Sequence, residues 1–188
     1  METAKSNREQ RHILVDCFLV CYNGLQILGW CCLFTHMLLF SNEAPNILWH
    51  NLQNTLIACT SFLLLELFYS IWGIVRTNTS TVFFLILCRL LIVWGVLMSS
   101  LPALHNTGLN LLILGWSTHE IIRYLFYCLD VMDCLPYLMI WLRYSAFILL
   151  YPLATVGELL CFYASQQYFL RYPRWYLDFP SPWDLVFS

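Results

Sequence analysis

Five long, mainly apolar runs occupy most of the chain, at residues 13–40, 52–75, 82–101, 109–129 and 135–163. Each is long enough to cross a hydrocarbon layer about 30 Å thick as a helix rising about 1.5 Å per residue. Lipid offers the backbone no hydrogen-bond partner, so only helices and closed barrels can span it. A barrel needs alternating segments of about ten residues, and the runs here are longer and do not alternate. The expected fold is therefore all-α, a polytopic transmembrane bundle with five visible spans. Composition agrees. Of 188 residues, 60% are hydrophobic and 11% charged, against about 25% charged in a soluble domain.

The segments between the runs carry turn chemistry. Residues 41–50 include Asn42, Pro45 and Asn46, residues 76–81 are short and polar, and residues 102–110 hold Pro102 and Gly108. Residues 130–136 are acidic and end in Pro136. Loops this short make neighbouring helices antiparallel. Residues 1–12 form a polar N-terminal segment bearing Lys5, Arg8 and Arg11. The run after it is too long for a signal-peptide core and ends in no small-residue cleavage site, so it reads as a retained span. The positive charges place residues 1–12 in the cytoplasm, with Arg76 on the same side. The sequon Asn78-Thr79-Ser80 then faces the cytoplasm and goes unused. Residues 13–165 form the membrane domain. Residues 166–188, rich in Tyr, Trp, Phe and Pro, form an aromatic interfacial tail.

Several function classes fall away. The net charge of −2 and the absence of a basic run give no footprint for nucleic acid. The nine cysteines show no C-x-x-C and no zinc-finger spacing, so they read as apolar packing residues, and no metal is expected. No cofactor motif is visible. A transporter would show internal repeats or paired broken helices, and neither is evident.

Charge inside the runs has to be explained, because ionisable groups are expensive in lipid. The set is Glu66, Arg89, Glu120, Arg123, Arg143 and Glu158. Glu120 and Arg123 are spaced i, i+3 and can pair on one helix face. Arg89 and Arg143 are expected to snorkel toward a membrane surface. Tyr151 and Glu158 lie two helical turns apart, about 10.5 Å along the axis, and so share a face. Pro152 permits a kink between them, and Gly157 adds backbone freedom before the carboxylate. A phenol and a carboxylate on one apolar face suit acid–base chemistry. A Tyr–Glu pair that merely joins helices is the competing reading.

The last run contains Arg143-Tyr144-Ser145-Ala146-Phe147-Ile148-Leu149-Leu150-Tyr151-Pro152, then Gly157-Glu158-Leu159. The preceding run contains Trp116, Glu120-Ile121-Ile122-Arg123-Tyr124 and Phe126-Tyr127. Earlier come Tyr22-Asn23 with Gly29-Trp30, and Leu65-Glu66 with Gly73-Ile74-Val75. Together, in this order over residues 18–163, these strings resemble the very-long-chain (3R)-3-hydroxyacyl-CoA dehydratases, also called the protein-tyrosine-phosphatase-like A family. The resemblance implies a six-span endoplasmic reticulum protein, with the tail standing where a sixth span would follow. It implies dehydration of (3R)-3-hydroxyacyl-CoA to trans-2-enoyl-CoA in very-long-chain fatty acid elongation, without a cofactor. It places the catalytic pair on Tyr151 and Glu158, with Glu66, Glu120, Arg123, Arg143 and Tyr144 in support. The implied partners are the acyl-CoA substrate, the bilayer and the elongase, ketoacyl-CoA reductase and enoyl-CoA reductase of the cycle. An inactive membrane scaffold built on the same helices is the alternative. A phosphatase is disfavoured, because no cysteine is followed by an arginine at the spacing of a phosphate loop.

Overall fold

A computed structural model describes residues 2–72, 79–171, 175–177 and 185–187. Arg76, Asn78 and Arg174 lie outside the described residues, as do the side chains of residues 1–14. Helix α1 spans Glu2–Phe40, α2 Pro45–Ile71, α3 Thr79–Leu90, α4 Leu101–Leu104, α5 Thr107–Val131 and α6 Tyr137–Arg171. After α3 the chain continues through a π-helical stretch, Leu91–Leu97, closed by the Met98 N–H donating to the Val93 carbonyl at 3.0 Å. Strands β1, Trp175–Leu177, and β2, Leu185–Phe187, pair antiparallel. Helix α6 thus runs eight residues beyond the last apolar run drawn from hydropathy. The stretch read as an aromatic interfacial tail, residues 166–188, carries the end of α6 and the short β1–β2 hairpin.

The helix ends have local causes. Pro45 sits in the first turn of α2, where its missing N–H is no loss. Ser100 caps α4 by accepting from the Ala103 N–H, and Asn106 caps α5 by accepting from Gly108. Helix α5 ends in a Schellman turn: Cys134 N–H donates to Leu129 O and Asp133 N–H to Asp130 O. Asp133 takes the left-handed position, with φ of 51°.

Among the described residues four segments are long and apolar enough to cross a membrane: Val15–Phe40, Pro45–Ile71, Thr79–Leu97 and Tyr137–Leu170. The fifth expected span, α5, has ample length at 25 residues but carries His119, Glu120 and Arg123. It packs mainly against α1 and α6. The molecule is apolar outside and charged inside. Leu149 is 74% exposed and Glu120 fully buried. That inversion suits a lipid solvent, and the protein is a multi-pass membrane helical bundle.

The α5–α6 contact is made of small residues. A Cβ at Gly115 would fall 2.9 Å from that of Ala154, and one at Gly108 2.8 Å from that of Leu160. A Cβ at Gly157 would fall 2.5 Å from the backbone nitrogen of Leu112. In lipid, helices associate through such close backbone approach. Gly157 is therefore a contact glycine rather than the source of backbone freedom that its sequence position suggested. Asn106 adds a polar tie, donating from Nδ2 to the Leu160 carbonyl at 3.0 Å. Helix α3 packs mainly against α2, and this part of the chain meets α6 chiefly through the π-helical stretch and α4. The space left between α3, α5 and α6 holds the candidate site.

Candidate active site between α3, α5 and α6

Two adjoining cavities fill that space. The deeper one, about 470 Å³, is lined by Tyr151 and Glu158 of α6, Trp116 and His119 of α5, and Arg89 of α3, among others. The outer one, about 770 Å³, is lined by Arg123 and Tyr127 of α5 and by Arg143, Tyr144 and Tyr151 of α6. Thr81, Leu85, His119, Leu150 and Tyr151 border both. The outer cavity lies toward the start of α3 and α6 and the end of α5.

Tyr151 and Glu158 come together on the deeper cavity because α6 stays helical through Pro152. The 3.6-residue period then keeps positions seven apart on one face. The Trp116 Nε1–H donates to Glu158 Oε1 at 2.8 Å. The Tyr151 ring meets the His119 ring edge-on, with centroids 4.9 Å apart, and the Phe147 ring at 6.3 Å.

Beside the cavities runs a buried ionic network. Arg123 donates to both Glu66 oxygens, at 2.7 and 2.9 Å, and through Nε to Glu120 Oε2 at 2.8 Å. Arg89 reaches from α3 to Glu120 Oε1 at 2.7 Å. Its guanidinium lies between the Trp30 and Trp116 rings, with centroids 5.4 and 4.9 Å away. Arg89 thus points into the bundle and does not snorkel. A carboxylate and two aromatic faces compensate its charge more fully than a surface position would. Tyr124 bridges onward, donating to Glu66 and accepting from Gln26 of α1, which also donates to the Tyr22 hydroxyl. The i, i+3 pair of Glu120 and Arg123 forms as its spacing implies.

The seven residues singled out from sequence divide accordingly. Tyr151 and Glu158 face the deeper cavity. Arg123, Arg143 and Tyr144 face the outer one, Tyr144 being 64% exposed. Glu66 and Glu120 do not line either cavity and serve the network behind Arg123. Sequence reasoning missed His119, which touches both cavities and places Nδ1 3.2 Å from Glu120 Oε1. It also gave Trp116 no task. A histidine one residue before a carboxylate inside an apolar run was the available signal. Among the described residues no group of three or more metal-ligating side chains occurs.

The family model described as protein tyrosine phosphatase-like protein, PTPLA, matches residues 60–188. The very-long-chain (3R)-3-hydroxyacyl-CoA dehydratase 1 of Canis lupus familiaris is 32% identical over 187 residues, covering 98% of this chain and 75% of that protein. The counterpart in Ovis aries is 32% identical over 187 residues, covering 98% of this chain and 65% of that protein. The dehydratase hpo-8 of Caenorhabditis elegans is 36% identical over 156 residues, covering 80% and 71%. No solved structure matches the chain. With the model matched over more than half its length and relatives above 30% identity, the chain belongs to the protein tyrosine phosphatase-like, PTPLA, family.

Proposed function

We propose that the chain dehydrates a very-long-chain (3R)-3-hydroxyacyl-CoA to the trans-2-enoyl-CoA. The observation that carries this reading is the presence of Tyr151 and Glu158 on one cavity walled by apolar helix faces. The dehydratase names of the relatives supply the reaction class.

The elimination is balanced with these two groups. A base takes a proton from C2, which the thioester acidifies, the C2=C3 bond forms, and the 3-hydroxyl leaves as water once an acid has given it a proton. An indole N–H can only donate, so the bond from Trp116 places a Glu158 oxygen as acceptor. Glu158 is the base in this scheme and the Tyr151 O–H the acid. The proton taken by Glu158 returns to Tyr151 through solvent after product leaves. The acyl chain lies along the apolar walls of α3 and α6, and the thioester faces the outer cavity. The setting is the endoplasmic reticulum membrane, beside the elongase and the ketoacyl-CoA and enoyl-CoA reductases that make the substrate's precursor and consume the product.

The test is turnover of (3R)-3-hydroxyacyl-CoA by the purified chain in detergent, followed as enoyl thioester. Tyr151→Phe and Glu158→Gln are each expected to slow it about 10²–10⁴-fold while the protein still inserts and melts normally. Unchanged rates in both variants would remove the assignment. An inert wild-type chain that still binds acyl-CoA would favour the scaffold reading.

A further inference from the structure

We infer that Arg143 and the outer cavity form a binding site for a phosphate ester, filled in the substrate complex by the pyrophosphate of coenzyme A. The inference rests on the dehydratase reading for its ligand and on Arg143's own surroundings for its chemistry.

Among the described side chains three arginines lie within the bundle, and two have carboxylates. Arg89 pairs with Glu120, and Arg123 with Glu66 and Glu120. Arg143 has no ion pair among the described residues. Its guanidinium stacks on Phe126 and Tyr127, at 4.3 and 4.7 Å, and Nη2 donates to the Tyr127 hydroxyl at 3.2 Å. Its Nη1 is buried and has no partner. Aromatic faces orient a guanidinium without neutralising it. A snorkelling arginine would carry its nitrogens to water, whereas this one has a nitrogen enclosed. Among the described residues the outer cavity has no Asp or Glu in its wall, and the other guanidinium there, Arg123, is already paired. The site is short of one anion, and a phosphate ester suits a planar guanidinium with free N–H donors.

Spacing selects the ligand. Arg143 precedes Tyr151 by eight residues, about 12 Å along α6. Pantetheine joins a thioester to a pyrophosphate through a chain about four residues long, reaching about 15 Å when extended. A thioester at Tyr151 therefore lays its phosphates beside Arg143, at the open end of the cavity. A phospholipid headgroup offers the same oxyanion and is the other source of it.

The test uses the full chain in phospholipid-free detergent. Free coenzyme A and pantetheine are titrated by calorimetry, and 3-hydroxyacyl-CoA and 3-hydroxyacyl-pantetheine are compared as substrates. Arg143→Gln is expected to weaken coenzyme A and raise the KM of the CoA thioester about 10–100-fold. The kcat and both pantetheine measurements should hold steady. Arg143→Lys keeps the charge, should fall between, and serves if Arg143→Gln does not fold. Equal losses on both thioesters, or no loss on either, would overturn the site. Coenzyme A binding abolished by added phosphatidylglycerol micelles, with Arg143-dependent binding of that lipid, would reassign the site to a headgroup and overturn the CoA assignment. Arg143-dependent coenzyme A binding by a wild-type chain that dehydrates neither thioester would sink the dehydratase reading and leave this site standing.

Discussion

Trp116 on α5 donates its indole N–H to Oε1 of Glu158 on α6 at 2.8 Å, fixing the carboxylate from the neighbouring helix. A hydrogen bond to a charged group contributes about 1.5–3 kcal/mol. Trp116→Phe keeps an aromatic face under Arg89, 4.9 Å away in the wild type, and removes only the donor. The expected result is a fall in kcat of about 10–100-fold with KM nearly unchanged, measured in the enoyl-thioester assay. An equal rise in KM would show that the indole holds substrate rather than Glu158.

His119 positions Tyr151 from the other side. Its ring meets the tyrosine edge-on at 4.9 Å, while Nδ1 lies 3.2 Å from Glu120. Edge-to-face aromatic pairs contribute about 0.5–1.5 kcal/mol. His119→Ala joins the two cavities and frees the phenol, and kcat is expected to drop about 3–10-fold. His119→Phe restores the ring and should recover most of that loss. Recovery by His119→Gln and not by Phe would assign the effect to the contact with Glu120.

Helix positions were legible because lipid imposes a length and an apolarity that hydropathy reads directly. The i, i+3 bond of Glu120 and Arg123 was equally legible, since one helix sets it. Arg89 was misjudged because its partner, Glu120, lies 31 positions away on α5, and only packing brings α3 there. Gly157 was misjudged for a related reason: a glycine's need for space depends on which backbone faces it, and Leu112 is on another helix. The common face of Tyr151 and Glu158 follows from period alone. The cavity in front of it follows from α3 standing off, which no local pattern encodes. The hairpin of β1 and β2 lies in an aromatic stretch that composition reads as interface and whose strand pairing it does not reveal.

Gly157 makes the packing of α5 on α6 testable. A Cβ there would lie 2.5 Å from Leu112 N and 2.9 Å from Gly108 O, both backbone atoms that cannot swing aside. Overpacking of this kind costs about 1–3 kcal/mol, so Gly157→Ala should lower the melting temperature in detergent and displace Glu158. Gly24 is the internal control, with nothing within 4 Å of its Cβ position. Gly24→Ala should be neutral or raise stability by about 0.5–1 kcal/mol, because alanine loses less entropy in a helix. Equal melting temperatures for the two variants would mean the helices do not approach this closely.

Glu120 carries the largest stability prediction. It is fully buried and joins Arg89 on α3 to Arg123 on α5 through its two oxygens. Removing one partner from a buried ion pair costs about 3–5 kcal/mol, because the remaining charge is left uncompensated. Glu120→Ala leaves Arg89 with the Trp30 and Trp116 faces alone, while Arg123 keeps Glu66. The destabilisation should therefore run mainly through Arg89. Pairing Glu120→Ala with Arg89→Met, which removes that stranded charge and fills its space, should recover a large part of the loss. Denaturation of the single and double variants in detergent measures the coupling between them. Strictly additive losses would show that Arg89 and Glu120 do not compensate one another, and that α3 is held to α5 by something other than this pair.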